Sequence, residues 1–78
     1  MFMRIEIASL DRVGITQEIL AVFAKNNWDL LAMEVSQYHT YLQLKDSAVM
    51  FSDITAELKQ VSGVEAFKQI ELLPGERK

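Results

Sequence analysis

The groups best suited to hold a small ligand lie in the stretch 9–15, where an alternating apolar pattern gives way to a helical one. Asp11 is well placed to cap the helix that follows, because a carboxylate accepts hydrogen bonds from the first free N–H groups. Those N–H groups and the helix dipole also suit a bound carboxylate, and Gly14 lets a ligand or another chain approach the backbone. Taken alone, these residues favour the simpler interpretation, in which Asp11 only caps and Gly14 only packs tightly.

Catalytic or metal-binding groups are sparse in the rest of the chain. The one histidine, His39, falls in a predicted turn without an acid partner, and the chain has no cysteine. A lone imidazole defines no site, so a surface role is expected. The three glycines form no phosphate-binding loop, and a Cys-x-x-Cys metal loop is absent from the sequence. We therefore expect no enzyme, no metal and no cofactor.

Nucleic-acid binding and membrane binding find little support in the composition. The formal charge is −3, and the Lys and Arg residues are scattered without a basic stripe. Tyr41 with Lys45 is a weak basis for RNA binding on the predicted middle strands. The apolar runs are a few residues long and no basic-then-apolar leader is seen, which predicts a cytoplasmic domain without a membrane span.

The hydrophobic periodicity predicts six elements in the order strand, helix, strand, strand, helix, strand. The predicted residue ranges are 4–10, 13–26, 28–37, 40–45, 51–61 and 64–73. Asn27 is expected to end the first helix in the left-handed conformation, and Gly63 is expected to end the second. A bend or bulge near Leu31 is expected in the second strand. The sequence leaves open whether the third strand stops at Lys45 or continues through Val49.

With right-handed crossovers, this order predicts an α+β, ferredoxin-like βαββαβ sandwich, with both helices on one face of a four-stranded antiparallel sheet. The other face is expected to be uncovered and to carry Arg4, Glu6, Glu34, Tyr41 and Gln43. The residues expected to form one core are Ile5, Ile7, Phe23, Met33, Leu42, Phe51, Ile54 and Leu58. Residues 1–73 are predicted to form the domain and residues 74–78 the start of a linker.

The second and fourth strands are predicted to lie at the edges of the sheet, and the second has no proline and Glu34 as its single charge. Such an edge is poorly protected against pairing with another chain. A domain of 78 residues buries only about 60% of the surface that its unfolded chain exposes, so its own stability is marginal. We therefore expect a homodimer in which the edge strands of two copies pair.

Two stretches resemble the ACT domain, the small-molecule-sensing module of amino-acid metabolism. They are Asp11-Arg12-Val13-Gly14-Ile15 and, at the end of the helix, Asn26-Asn27-Trp28-Asp29-Leu30. The family has glycine where Asn27 stands and isoleucine or valine where Trp28 stands. Further matching residues are scattered along the chain as far as Pro74-Gly75-Glu76-Arg77. Together they resemble the N-terminal ACT domain of the TyrR family, bacterial regulators of aromatic amino-acid genes. The resemblance implies that Met3 is the natural start and that a PAS domain, an ATPase domain and a helix-turn-helix DNA reader follow.

The resemblance also implies a ligand site between two protomers, because ACT domains that bind amino acids hold them there. Carried over by position, the site residues are Ser9, Asp11, Val13, Gly14 and Ile15 of one chain with Asp29, Leu30 and Leu31 of the other. Asp11 and Asp29 stand where serine-binding members have asparagine; two acids suit an ammonium group but repel a carboxylate. The implied ligand is an aromatic amino acid: tyrosine, phenylalanine or tryptophan.

Two other functions are compatible with the sequence. One is an ACT module that controls an enzyme of amino-acid metabolism, which the chain beyond Lys78 would distinguish. The other is a dimerisation element without a ligand, which calorimetry with the three aromatic amino acids would distinguish. An acylphosphatase-type hydrolase of the same fold needs an arginine in a glycine-rich turn with a nearby asparagine, and Arg12 beside a single glycine does not meet that requirement.

Overall fold

The computed structural model describes residues 2–11, 13–45 and 50–76, with the side chain of Phe2 excepted. Within these residues the predicted order of strands and helices is confirmed. The elements are β1 (Phe2–Ser9), α1 (Ile15–Lys25), β2 (Leu30–Val35), β3 (His39–Lys45), α2 (Phe51–Leu58) and β4 (Val64–Ile70), followed by a 3-10 turn (Pro74–Glu76). The alternatives for the end of the third strand concern residues 46–49, which lie outside the described residues.

The strands form one antiparallel sheet in the order β2-β3-β1-β4, so β2 and β4 are the edge strands, as predicted. Successive side chains of a strand point to opposite faces of the sheet. Ile5 lies opposite Leu42 and Ile7 lies opposite Thr40, and all four residues are buried. This buried face packs against the helices, which confirms the ferredoxin-like fold.

The core lies between that face of the sheet and one side of each helix. Buried residues recur at helical spacing in both helices: Ile15, Ile19 and Phe23 in α1, Ile54 and Leu58 in α2. The complete cluster is Met3, Ile5, Ile7, Ile15, Ile19, Phe23, Leu42, Leu44, Ile54, Leu58 and Val61. The core is therefore formed by the apolar sides of two amphipathic helices and the apolar face of a sheet whose strands alternate apolar and polar residues.

Six of the eight residues predicted for the core belong to this cluster. Phe51 is partly buried and packs against it. Met33 is exposed, so its assignment to the core is wrong. It lies opposite buried Leu42 and so faces the same side of the sheet, but β2 is an edge strand with a neighbouring strand on one side only. Burial at that position depends on what covers the edge.

The helix ends differ from the sequence prediction. α1 begins two residues later than predicted, after Gly14 at φ 85°, and no side chain among the described residues caps it. Asp11 is too far from this start to be the N-cap, so that prediction is wrong. Asn27 at φ 58° confirms the predicted left-handed end of α1. Gly63 has φ 98°, but α2 ends at Leu58, so Gly63 is not its C-cap and instead turns the chain into β4.

The pairing of β2 is irregular where a bend was predicted. Leu30 lies opposite Leu44, whereas Ala32 lies opposite the adjacent residue, Gln43. One extra residue, Leu31, is therefore inserted into β2, which is the arrangement of a β-bulge. The predicted bulge is confirmed, and it places Met33 and Val35 on the same, helix-covered side of the sheet as Leu30, which precedes the bulge.

The face of the sheet away from the helices is not fully uncovered, contrary to the prediction. The expected polar side chains are on it, but the segment 71–76 turns back from the end of β4 and crosses part of it. Leu73 in this segment is buried outside the main core cluster. The residues that follow Leu73 contact Arg4 on β1 and Glu34 on β2. This open face of the sheet therefore has a partial cover.

Candidate ligand-binding site

The predicted site begins where β1 ends, and two other turns hold this end of the strand. The N–H of Ser9, a buried residue, donates to the Tyr38 carbonyl at 2.9 Å. The N–H of Leu10 donates to the Gly63 carbonyl at 2.8 Å. The hairpin turn between β2 and β3 and the turn before β4 therefore fix the start of the stretch 9–15.

The Asp11 carboxylate is exposed and faces the hairpin turn rather than helix α1. Its Oδ2 accepts a hydrogen bond from Gln37 Nε2 at 3.1 Å. Val13 is 99% exposed, so the turn presents an apolar side chain to solvent. Arg12 lies outside the described residues. The turn thus offers one acidic and one apolar contact to a ligand or a partner.

Gly14 determines the backbone shape of the turn. A φ of 85° is left-handed, a conformation that costs residues with a Cβ roughly 1–2 kcal/mol. Space is not limiting, because a Cβ on Gly14 would meet only the Glu18 carboxylate, at 3.9 Å. The Gly14 carbonyl accepts from the Glu18 N–H at 3.0 Å, which starts α1. Ile15 is buried in the core, so only its backbone is available to a ligand.

The second group of predicted site residues lies at the opposite end of the sheet. Asp29 is exposed, and its carbonyl accepts from the Lys45 N–H at 3.1 Å, where β3 ends. The stretch 9–15 instead adjoins the start of β3, since β1 and β3 are antiparallel. The 7 residues of β3 separate the two places, about 20 Å at the usual rise per residue. One chain does not bring the stretches 9–15 and 29–31 together.

Leu31 belongs to a row of exposed apolar residues on the edge strand. Leu31, Met33 and Val35, which we call the edge patch, are 47%, 39% and 52% exposed. A row of large apolar side chains on an unpaired edge is suited to contact with another chain. The neighbouring site residue Leu30 packs against the core instead.

Gln37 and Tyr38 are neighbours of the site that the sequence analysis did not include. Gln37 contacts the Asp11 carboxylate, and Tyr38 accepts from the Ser9 N–H. The available signal was the topology itself. Because the first and third strands pair antiparallel in this fold, the turn before the third strand must lie beside the end of the first.

A shallow depression of about 250 Å³ lies on the open face, and its lining includes Ala8 and His39, the chain neighbours of Ser9 and Tyr38. Its charged groups neutralise each other, with Lys68 Nζ 3.2 Å from Glu6 Oε1. His39 stacks on Tyr41, with ring centroids 6.0 Å apart.

In the part of the chain that the structure describes, no group of three acidic or imidazole side chains is placed to hold a metal ion. No helix within these residues has the length and apolar character needed to cross a membrane.

Comparison with protein-family models gives no match. The chain is 31% identical over 77 residues to the HTH-type transcriptional regulatory protein TyrR of Citrobacter braakii. It is 30% identical over 79 residues to the protein of the same name from Salmonella typhimurium strain LT2. Both alignments cover 96% of the chain, which spans about 15% of the length of these curated relatives.

Two solved structures share the backbone fold. One is the ACT domain from GTP pyrophosphokinase of Chlorobium tepidum, with a TM-score of 0.74 and 18% identity over 88% of the chain and 96% of that domain. The other is E. coli aspartokinase III in complex with lysine and aspartate, with a TM-score of 0.65 and 17% identity over 87% of the chain and 17% of the enzyme. At these identities the likeness concerns the fold alone.

Proposed function

We propose that this chain, which has the ACT-domain fold and resembles the transcriptional regulator TyrR over 96% of its length, is the ligand-sensing and dimerisation domain of a TyrR-like regulator. Its ligand is an aromatic amino acid, the domain itself catalyses nothing, and it works in the cytoplasm. The observation that carries the proposal is the left-handed turn at Gly14, held beside the end of an unprotected edge strand.

The relatives support both the class of ligand and the class of protein. Aspartokinase III, which shares the fold, was solved with lysine and aspartate. That supports an amino acid as the ligand of this domain. The transcriptional role rests on the similarity to TyrR, and so does the choice of an aromatic amino acid.

Pairing of two β2 strands across a two-fold axis would assemble the separated site residues. In an antiparallel pair the start of one strand lies beside the end of the other. The end of β2 leads into the hairpin turn that contacts the stretch 9–15. Residues 29–31 of the second copy would thereby approach that stretch, and the two edge patches would cover each other. The proposed site therefore exists only in the dimer.

The charged groups of an amino acid have separate partners in this arrangement. The N–H groups of the first turn of α1, which no described side chain caps, suit the ligand's carboxylate. Asp11 and Asp29 suit its ammonium group, since opposite charges attract strongly where water is partly excluded. Val13 and Leu31 are exposed and offer apolar surface for the ring.

Calorimetry with phenylalanine, tyrosine and tryptophan tests this proposal, with sedimentation run on the same samples. We expect at least one of them to bind to a dimer. Gly14→Leu should abolish binding while the circular dichroism stays that of the folded domain, because its side chain occupies the approach to the backbone. Ala21→Leu, at an exposed position of α1, is the matched control and should bind normally. A folded dimer that binds none of the three would be a dimerisation element without a ligand.

A regulatory module of an amino-acid metabolic enzyme is the second candidate, because both solved neighbours belong to enzymes. The same domain would then bind an amino acid and control catalysis. The coding sequence that follows residue 78 distinguishes the two candidates. A helix-turn-helix DNA reader there supports the regulator, and an enzyme core supports the alternative.

A further inference from the structure

The chain folds back over the open face of the sheet after its last strand. β4 ends at Ile70, and the backbone then forms the 3-10 turn Pro74–Glu76. We call residues 71–76 the strap. Leu73 is its buried residue, at 3% exposed, and lies outside the core cluster between sheet and helices. The strap thus has a small apolar contact of its own.

The end of the strap binds the central strand β1 through a two-point ion pair. Arg4 Nε donates to Glu76 Oε1 at 2.8 Å, and Arg4 Nη2 donates to Glu76 Oε2 at 3.0 Å. The same Oε1 accepts from the Leu73 N–H at 2.8 Å. Two parallel hydrogen bonds between a guanidinium and a carboxylate fix direction as well as distance. Glu76 therefore closes the turn internally and also attaches it to the sheet.

The middle of the strap binds the edge strand β2. Both carboxylate oxygens of Glu34 accept from the Gly75 N–H, at 2.9 and 3.2 Å. A Cβ at residue 75 would lie 2.9 Å from Glu34 Oε2, so glycine permits this close approach. β3 lies between β2 and β1, and the two anchor strands are therefore about 10 Å apart at the usual strand spacing.

We propose that the strap is a latch that closes as one unit on β1 and β2 and so links the position of the edge strand to the path of the chain after Glu76. Glu34 belongs to the strand that carries the edge patch. A shift of β2 relative to β1 separates the two anchors, and the open strap exposes Leu73 and the sheet beneath. A factor that stabilises one position of β2 therefore stabilises the matching state of the strap, and this coupling is reciprocal. The latch requires neither a ligand nor a second copy of the chain.

Amide hydrogen exchange, measured by NMR on the 78-residue chain, tests the latch through contacts that each substitution leaves in place. Glu34→Ala removes the acceptor of the Gly75 N–H but leaves Glu76, the acceptor of the Leu73 N–H. If the strap closes as one unit, exchange at Leu73 should also rise. Arg4→Ala should likewise raise exchange at Gly75. We expect increases of about tenfold or more at these remote amides, because hydrogen bonds to charged groups are among the stronger ones.

Glu65→Ala, at an exposed position of β4, is the matched control and should leave both amides protected. The Leu42 amide in the middle of the sheet reports overall folding and should stay protected in all three variants. If Glu34→Ala raised amide exchange at Gly75 alone, and Arg4→Ala raised it at Leu73 alone, each effect would be local. That result would overturn the latch. Fast exchange at both strap amides in the unsubstituted chain would also overturn it.

Discussion

Glu76 illustrates how a single carboxylate acquires a structural role in a polar segment. The hydrogen bond from the Leu73 N–H, and after it the one from Arg4, holds the pKa of Glu76 below its usual value of 4.5. A group whose pKa is lowered on folding contributes stability above its unfolded pKa, and the contribution is lost as the pH falls through the lowered pKa. The hydrogen bonds that Glu76 accepts therefore contribute to stability at neutral pH, and that contribution is lost in acid.

Arg4→Ala should raise the pKa of Glu76 toward its usual value but not fully to it, because the bond from the Leu73 N–H is the larger cause and lies within the strap. Arg4→Lys keeps the charge without the two-point geometry and should raise the pKa by less. A carbon-13 NMR titration of the side-chain carboxyl measures both effects. An unchanged pKa in Arg4→Ala would contradict the ion pair.

At the scale of elements, β2 is divided between two roles. Leu31, Met33 and Val35 form the exposed edge patch, while Glu34 on the open face is held by the strap. The bulge at Leu31 makes this division possible, because one extra residue changes which side chains share a face. An edge strand built in this way keeps its place in the sheet and still exposes apolar surface.

Met33→Glu should weaken dimerisation by about a hundredfold or more, since like charges facing each other across an interface cost several kcal/mol. The monomer should stay folded because Met33 is already exposed. Met50→Glu is the matched control, since Met50 is also exposed and a negative charge suits its place before the first turn of α2. Sedimentation at micromolar concentration measures the effect. A dimer that is insensitive to Met33→Glu would place the interface elsewhere, and a monomeric unsubstituted chain would contradict edge pairing.

The two helices are joined at the end of α1. Asn26 Nδ2 donates to the Val22 carbonyl at 2.8 Å and to Glu57 Oε1 at 3.3 Å, and Lys25 Nζ lies 3.2 Å from the same oxygen. The two contacts with the Glu57 carboxylate hold its pKa below the usual value, and the hydrogen bond from Asn26 is the larger cause. One residue that ends α1 therefore also positions α2.

At the scale of the whole molecule, one small core supports every feature described above. A domain of 78 residues has a free energy of unfolding of about 4–12 kcal/mol at ordinary values per residue. Leu58, at the end of α2, is fully buried in the cluster. A defect at one core position therefore affects the sheet, both helices and the turns that depend on them.

Leu58→Ala should lower the free energy of unfolding by about 2–5 kcal/mol, because it removes buried methyl groups and leaves a cavity. Leu72→Ala, at an exposed leucine, is the matched control and should change it by less than about 0.5 kcal/mol. Urea unfolding followed by circular dichroism measures both variants. A cost below about 0.5 kcal/mol for Leu58→Ala would be inconsistent with the core described here.

Sequence patterns correctly predict the order of elements, the edge strands, six of the eight expected core residues and the bulge at Leu31. The order of elements, the core residues and the bulge follow from hydrophobic periodicity, which is a local property of the chain. The edge strands follow from that order together with right-handed crossovers. The same reasoning wrongly predicted that Met33 lies in the core and that the open face of the sheet is uncovered. Periodicity indicates which face of the sheet a side chain points to, but not what covers that face.

Contacts between residues that are far apart in sequence depend on the tertiary structure. It turned Asp11 toward Gln37 instead of helix α1, and it brought the strap to Arg4 and Glu34. It also separated the stretches 9–15 and 29–31 to opposite ends of one sheet. Such contacts depend on how the elements pack and on the direction in which the chain leaves each one, and no local pattern of residues encodes either.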